Sequence, residues 1–182
     1  MNNIIAVVGM CGSGKSVAVE EFEKEGFQKI YFGQVTFDVL KERGLPVTPE
    51  NERMVREELR ASGDKGIYAK IYLPKIRELA EKGDVVIESM YSWSEYKYVK
   101  EEFGDAFKVL AIVTNAENRY QRLEIRGFRP LTRAESLKRD YTEIENIEKG
   151  GPIGIADFYI TNNSDQKTFI TKIQNLIQTI KD

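Results

Sequence analysis

"IIAVVGMCGSGKSVAVEEFEKEG" spans residues 4–26, and its reading decides the fold. Residues 4–8 are apolar, mostly branched and free of polar alternation, the pattern of a strand buried on both faces. A glycine-rich bend follows, then a helical pattern that stops at Gly26, a residue suited to a helix C-terminus. Gly9-Met10-Cys11-Gly12-Ser13-Gly14-Lys15-Ser16 fits G-x-x-x-x-G-K-[ST] at every position. That pattern describes a loop whose amides turn inward around phosphates, with the positive end of the next helix behind them. Lys15 is expected to reach the β- and γ-phosphates and Ser16 to bind Mg²⁺. Gly9, Met10, Cys11, Gly12, Ser13, Gly14, Lys15, Ser16 and Val17 form the expected nucleotide-binding stretch. Cys11 stands at a variable position of the loop, where packing or its backbone is the expected contribution.

Four more segments read as buried strands: 27–32, 84–88, 107–113 and 156–161. The second strand is the least apolar and suits a sheet edge. Helical patterns fill the gaps. "TPENERMVREELRASG" opens with Thr48 before Pro49, an N-cap followed by proline at the first helical position. "DKGIYAKIYLPKIRELAEKG" contains Pro74, which predicts a break or kink near Leu73. Strands alternating with helices imply an α/β fold whose parallel sheet is covered on both faces. Two departures from a minimal alternation stand out. About fifty residues with two or three helices separate the second and third strands, more than a crossover needs. An arginine-bearing turn, "RGFRPLTR", follows the helix after the fourth strand. Such insertions tend to carry binding.

At 182 residues the chain suits one domain with a sizeable core. The formal net charge of −2 provides no global attraction to nucleic acid or to an anionic membrane. Histidine is absent and there is one cysteine, which excludes His-based triads, intrachain disulfides and multi-Cys zinc sites. The N-terminal apolar run is too short for a signal peptide or a membrane span, so a cytoplasmic protein is expected.

Several side chains outside the loop are candidates for chemistry. Glu88 ends the third strand, close to where Mg²⁺ is expected, because ligands bind outside the carboxyl ends of such strands. It reads as a metal ligand, direct or through water, as a group orienting the acceptor, or as a solvated strand-end carboxylate. Arg122 and Arg126 share one helix face, and Arg129 and Arg133 follow in the turn. Mobile arginines stabilise the charge spread over a transferring phosphoryl group, although a solvated basic helix end gives the same pattern. Arg53, Arg56 and Arg60 recur at helical spacing among glutamates, which fits surface ion pairs or a phosphate clamp, with Arg60 the first choice for a clamp. Gly33 and Gln34 follow the second strand at the expected mouth of the acceptor site. The aromatics of "MYSWSEYKY" (90–98), Tyr91 among them, line a base-stacking pocket or pack a helix. The base-reading N-K-x-D of GTPases is absent.

The whole arrangement resembles the P-loop nucleoside monophosphate kinase superfamily. The resemblance covers nearly the whole chain: the loop, the helical insert after "YFGQ", the arginine-rich "RLEIRGFR" and the closing "ADFYITNNS". The last two features also resemble dephospho-CoA kinase, and small adenylate-kinase-related proteins share the overall pattern. The resemblance implies a single three-layer P-loop NTPase domain over 1–182, with a five-stranded parallel sheet in the order 2-3-1-4-5. It implies an acceptor-binding insert at about 34–82 and a short lid at about 126–133. It further implies phosphoryl transfer from ATP to a nucleotide-like small molecule by a monomer or homodimer, with no nucleic-acid or membrane partner. By motif position Arg122 would stack on adenine, with Asn162 near the adenine edge. Arg126 and Arg129 would meet the transferring phosphates. Gly33, Gln34, Arg56, Arg60 and Tyr91 are the acceptor-site candidates; Lys15, Arg126, Arg129 and Glu88 are the catalytic ones. Gln34 in place of Asp, Glu88-Ser89-Met90 in place of Asp-Gly, and a short lid without cysteines argue against an adenylate kinase proper. Phosphorylation of a ribose hydroxyl, with Glu88 as base, is one alternative. A weak ATPase or nucleotide-binding regulatory module is another.

Overall fold

Strand β1 (Ile4–Val8) is buried at every position, and its alternate residues enter two separate cores. Ile4, Ala6 and Val8 pack with Tyr68, Ile76, Val99 and Phe103 on one face of the sheet. Ile5 and Val7 pack with Val19, Phe22, Phe169 and Ile173 on the other. A strand covered on both faces has no polar side, hence the unbroken apolar run. The computed structural model describes residues 2–61 and 63–181.

Four further strands, β2 (Gln28–Tyr31), β3 (Val85–Glu88), β4 (Phe107–Val113) and β5 (Phe158–Thr161), complete a sheet. All pairings are parallel, and the order is β2-β3-β1-β4-β5, as the resemblance implied. β2, the least apolar, lies at an edge. Helices α1 (Lys15–Lys24) and α9 (Gln166–Lys181) cover one face; α4 (Ile67–Lys82) and α5 (Trp93–Phe103) cover the other. α1 stops where expected. Gly26 takes φ 90°, its N–H reaches the Glu23 carbonyl, and the Phe27 N–H reaches that of Phe22, the paired bonds of a Schellman stop.

Between β2 and β3 run α2 (Gln34–Glu42), α3 (Pro49–Arg60) and α4. The Thr48 side chain caps α3, accepting from the Asn51 N–H at 3.2 Å. The break expected at Pro74 does not occur: α4 is one helix through it. Proline removes one N–H, the donor to the Lys70 carbonyl. Lys70 and Pro74 lie on the exposed side of the helix, while Tyr68 and Ala69 before it and Ile76 and Ala80 after it are anchored in the core. Beyond β4 lie α6 (Ala116–Ile125), α7 (Arg133–Ile147) and α8 (Gly150–Gly154), the last of which has no counterpart among the expected helices. Among the described residues no helix is long and apolar enough to cross a membrane.

Candidate active site

The loop from Gly9 to Ser16 connects β1 to α1 at the carboxyl edge of the sheet. Gly9, Gly12 and Gly14 all take positive φ, at 146°, 80° and 103°. At Gly14 a Cβ would also lie 2.4 Å from the Asn162 side-chain nitrogen, so glycine is required there twice over. Carbonyls of the loop are held by side chains, one of them from the loop itself. Met10 O accepts from Lys15 Nζ at 2.9 Å, and Cys11 O from Arg119 at 3.1 Å. Ser13 O accepts from Asn162 at 2.8 Å and from Thr114 at 3.1 Å. With those carbonyls engaged and no side chain capping α1, the first-turn amides of that helix are left for an anion to fill.

Lys15 is crowded by cations. Burial first, and the charge of Lys149 second, lower its pKa to about 7. Lys149 is 3% exposed and pairs with Glu143 at 2.6 Å. Arg139 joins the same carboxylate at 3.0 Å. Burial pushes the Glu143 carboxyl up, yet Lys149 and Arg139 hold it below the ordinary range. Ser16 Oγ lies 3.2 Å from Glu88 Oε1, and Lys29 Nζ lies 3.0 Å from the other carboxylate oxygen.

One cavity reaches the loop at Gly14, and another lies beyond the ends of β2 and β3. On the β5 side, one of about 290 Å³ is lined by Gly14, Val17, Arg122, Asn162 and Phe169. Arg122 donates to the Asn162 carbonyl at 3.0 Å, and its other terminal nitrogen is buried without a partner. On the β2–β3 side, a larger cavity of about 530 Å³ contains Arg56, Arg60, Arg129 and Arg139 with Glu52, Glu95 and Glu143. Its walls include Tyr31, Phe37, Tyr68 and Tyr91. Gly33 lines it because the Tyr31 ring folds over that position, where a Cβ would meet ring carbon at 2.4 Å.

The arginines of the larger cavity differ in availability. Glu52, only 4% exposed, pairs with Arg129 at 2.8 Å and Arg56 at 3.2 Å. Arg129 lowers the Glu52 pKa, against the effect of burial. Arg60 lies over the Tyr68 ring at 5.3 Å, and its Nε is buried without a partner. Glu95 accepts from the Tyr91 and Ser92 amides at 2.6 and 2.8 Å, and burial raises its pKa to about 7.

The other candidates are distributed as follows. Gln34 bonds Asp38 at 3.0 Å and lines a separate hollow with Lys29 and Tyr72, away from the arginine cavity. Arg126 donates to the Arg129 carbonyl at 2.7 Å and lines neither of these two cavities. Arg53 and Arg133 form exposed pairs with Glu57 and Glu117. The aromatics of 90–98 divide: Tyr91 faces the cavity, whereas Trp93 and Tyr96 stack on each other, with Tyr96 against Phe107 of β4.

With that geometry in place, comparisons with known proteins become informative. A family model described as an AAA domain matches residues 5–148. A UPF0200 protein of Thermococcus onnurineus is 34% identical over 181 residues, covering 97% of each chain. The chain belongs to the UPF0200 family. Among solved structures, the shikimate kinase of Bacteroides thetaiotaomicron matches with a TM-score of 0.60 at 15% identity, covering 99% of both chains. The dephospho-CoA kinase of Campylobacter jejuni matches with a TM-score of 0.58 at 20% identity, covering 98% of this chain and 97% of that one. These likenesses are of fold, and the fold is that of the P-loop kinases.

Sequence reasoning missed Glu52, Glu95, Arg119, Arg139, Asp140, Glu143 and Lys149. Each sits in a charged helical surface pattern of the kind that ordinarily faces water. The one local signal was Ser92 with Glu95, a capping box that both side chains complete.

Proposed function

We propose that this UPF0200 protein is an ATP-dependent phosphotransferase acting on a small acceptor that bears an anionic group. The observation that carries the reading is an arginine cavity linked to the phosphate loop through Glu143, which lines the cavity and with Lys149 acts on Lys15; one arginine of that cavity, Arg60, has a buried Nε without a partner among the described residues. A buried guanidinium nitrogen without an acceptor is costly unless a ligand supplies one. In this reading the smaller cavity takes the adenine, beside Arg122 and Asn162.

The reaction breaks the bond between the terminal phosphorus and its bridging oxygen and forms one to an acceptor oxygen. The protein contributes position and charge. Lys15 and the cations around Glu143 meet the negative charge of the phosphates. Arg129 leaves Glu52 to join them as the lid turn closes and excludes water. Ser16 and Glu88 offer one hydroxyl and one carboxylate oxygen in contact, hard donors of the kind Mg²⁺ takes beside phosphates and water. Such an ion would neutralise charge on the phosphate oxygens. The contact with Ser16 and the pairing with Lys29 favour this role for Glu88 over that of a base. A screen of phosphate- and carboxylate-bearing acceptors at fixed ATP, read as ADP release above the water background, tests the proposal. Release that no acceptor stimulates would overturn it.

A further inference from the structure

Arg119, in the first turn of α6, is 6% exposed, and Asp140 in the middle of α7 is 7% exposed. They form a two-pronged pair, with Nη1 3.0 Å from one carboxylate oxygen and Nη2 2.6 Å from the other. Tyr120 donates its hydroxyl to the same carboxylate at 2.8 Å. The pair also reaches the phosphate loop, because Nη1 donates to the Cys11 carbonyl at 3.1 Å. The loop lies against α6 at that point: a Cβ on Gly12 would sit 2.7 Å from the Arg119 carbonyl oxygen.

We infer that Arg119 and Asp140 are a positioning pair that sets the phosphate loop and ties it to the helix carrying Arg139 and Glu143. Packing α6 on α7 does not require it, since apolar side chains of similar volume hold two helices as well as a buried ion pair. An apolar side chain cannot hold a carbonyl. The Cys11 carbonyl, released, is free to turn its negative end toward the phosphates, where amides are needed. Asp140 adjoins Arg139 and stands three residues before Glu143, and both of those line the larger cavity. α7 also follows directly on the lid turn. A shift of α7 over an acceptor therefore bears on Arg119 and through it on the loop, which links occupancy of the two sites.

The inference rests on the reading that the loop binds a nucleoside triphosphate. The test is the affinity of a fluorescent ATP analogue for wild type, Arg119→Ala, Arg119→Lys and Asp140→Asn, with folding followed by thermal melting. Arg119→Ala is expected to weaken binding at least tenfold, and millimolar guanidinium, but not sodium, to recover several-fold of that loss. Arg119→Lys recovers little, because an ammonium lacks the planar fork. Asp140→Asn weakens binding less than Arg119→Ala. Folded Arg119→Ala that binds within about twofold of wild type, or weak binding that guanidinium leaves unchanged, overturns the inference. If Arg119→Ala fails to fold, the double variant Arg119→Met with Asp140→Leu decides: wild-type affinity in its folded form refutes the pair's role, and at least tenfold weaker binding supports it. Wild type that binds no analogue refutes the functional reading itself, and the positioning role with it.

Discussion

The two ends of the candidate site are prepared in different ways. At the donor end loop carbonyls are held by Lys15, Arg119, Thr114 and Asn162, and no side chain caps the first turn of α1. At the acceptor end most charges are already matched. Glu52 occupies Arg56 and Arg129, and Glu143, between the two ends, occupies Arg139 and Lys149. One end is organised before binding; the other exchanges internal counter-ions for a ligand. The contrast follows from chemistry. A loop of backbone amides carries no net charge and tolerates being empty, whereas four arginines in one cavity repel one another unless carboxylates stand in.

The largest expected effect is at the donor end. Lys15→Ala is expected to lower ATP turnover at least about a hundredfold, as loss of a main electrostatic stabiliser does; steady-state ADP release measures it, and turnover near wild type would remove Lys15 from the reaction. Next comes Arg60. Arg60→Gln is expected to raise the acceptor KM about tenfold with ATP affinity unchanged, and a loss of ATP affinity instead would place Arg60 at the donor end. A smaller effect of opposite sign is expected for Glu52→Gln. Freeing Arg56 and Arg129 strengthens binding of inorganic phosphate to the larger cavity a few-fold, measured by calorimetry; weaker binding would show that Glu52 assists the anion and does not compete with it.

The smallest effect concerns Glu95 and pH. Burial raises its folded pKa to about 7, above its ordinary value of 4.5. Between those values the folded chain holds the extra proton, so this group's contribution to stability falls as pH rises from about 4.5 to about 7. Glu95→Gln cannot lose a proton and still accepts from the Tyr91 and Ser92 amides. Its melting temperature is expected to fall less over that window than that of wild type, by a few degrees. Parallel melting curves for the two proteins against pH would contradict the assignment.

The fold was legible because its signals are local. Five apolar runs mark the five strands, and Gly26, Thr48 and Pro49 mark helix ends through their own backbone preferences. Pro74 leaves α4 unbroken because its cost depends on exposure and on the anchoring of both helix halves, neither of which is local. The candidate site was legible in proportion to its contiguity. Lys15 and Ser16 adjoin the glycines that define the loop, and Glu88 adjoins a strand end. Gln34 lines a different hollow from Gly33 because one step along a helix changes the direction a side chain faces.

The amino-acid sequence by itself determined the strands, the phosphate loop and the availability of arginines, since each depends on residue type within a few positions. Tertiary structure decided which charges meet. Arg119 and Asp140 are 21 residues apart, and Arg129 and Glu52 are 77 apart. In the sequence each of these looks like a solvated surface charge. A buried ion pair exists only when folding brings the second partner and excludes water, so no local pattern announces it.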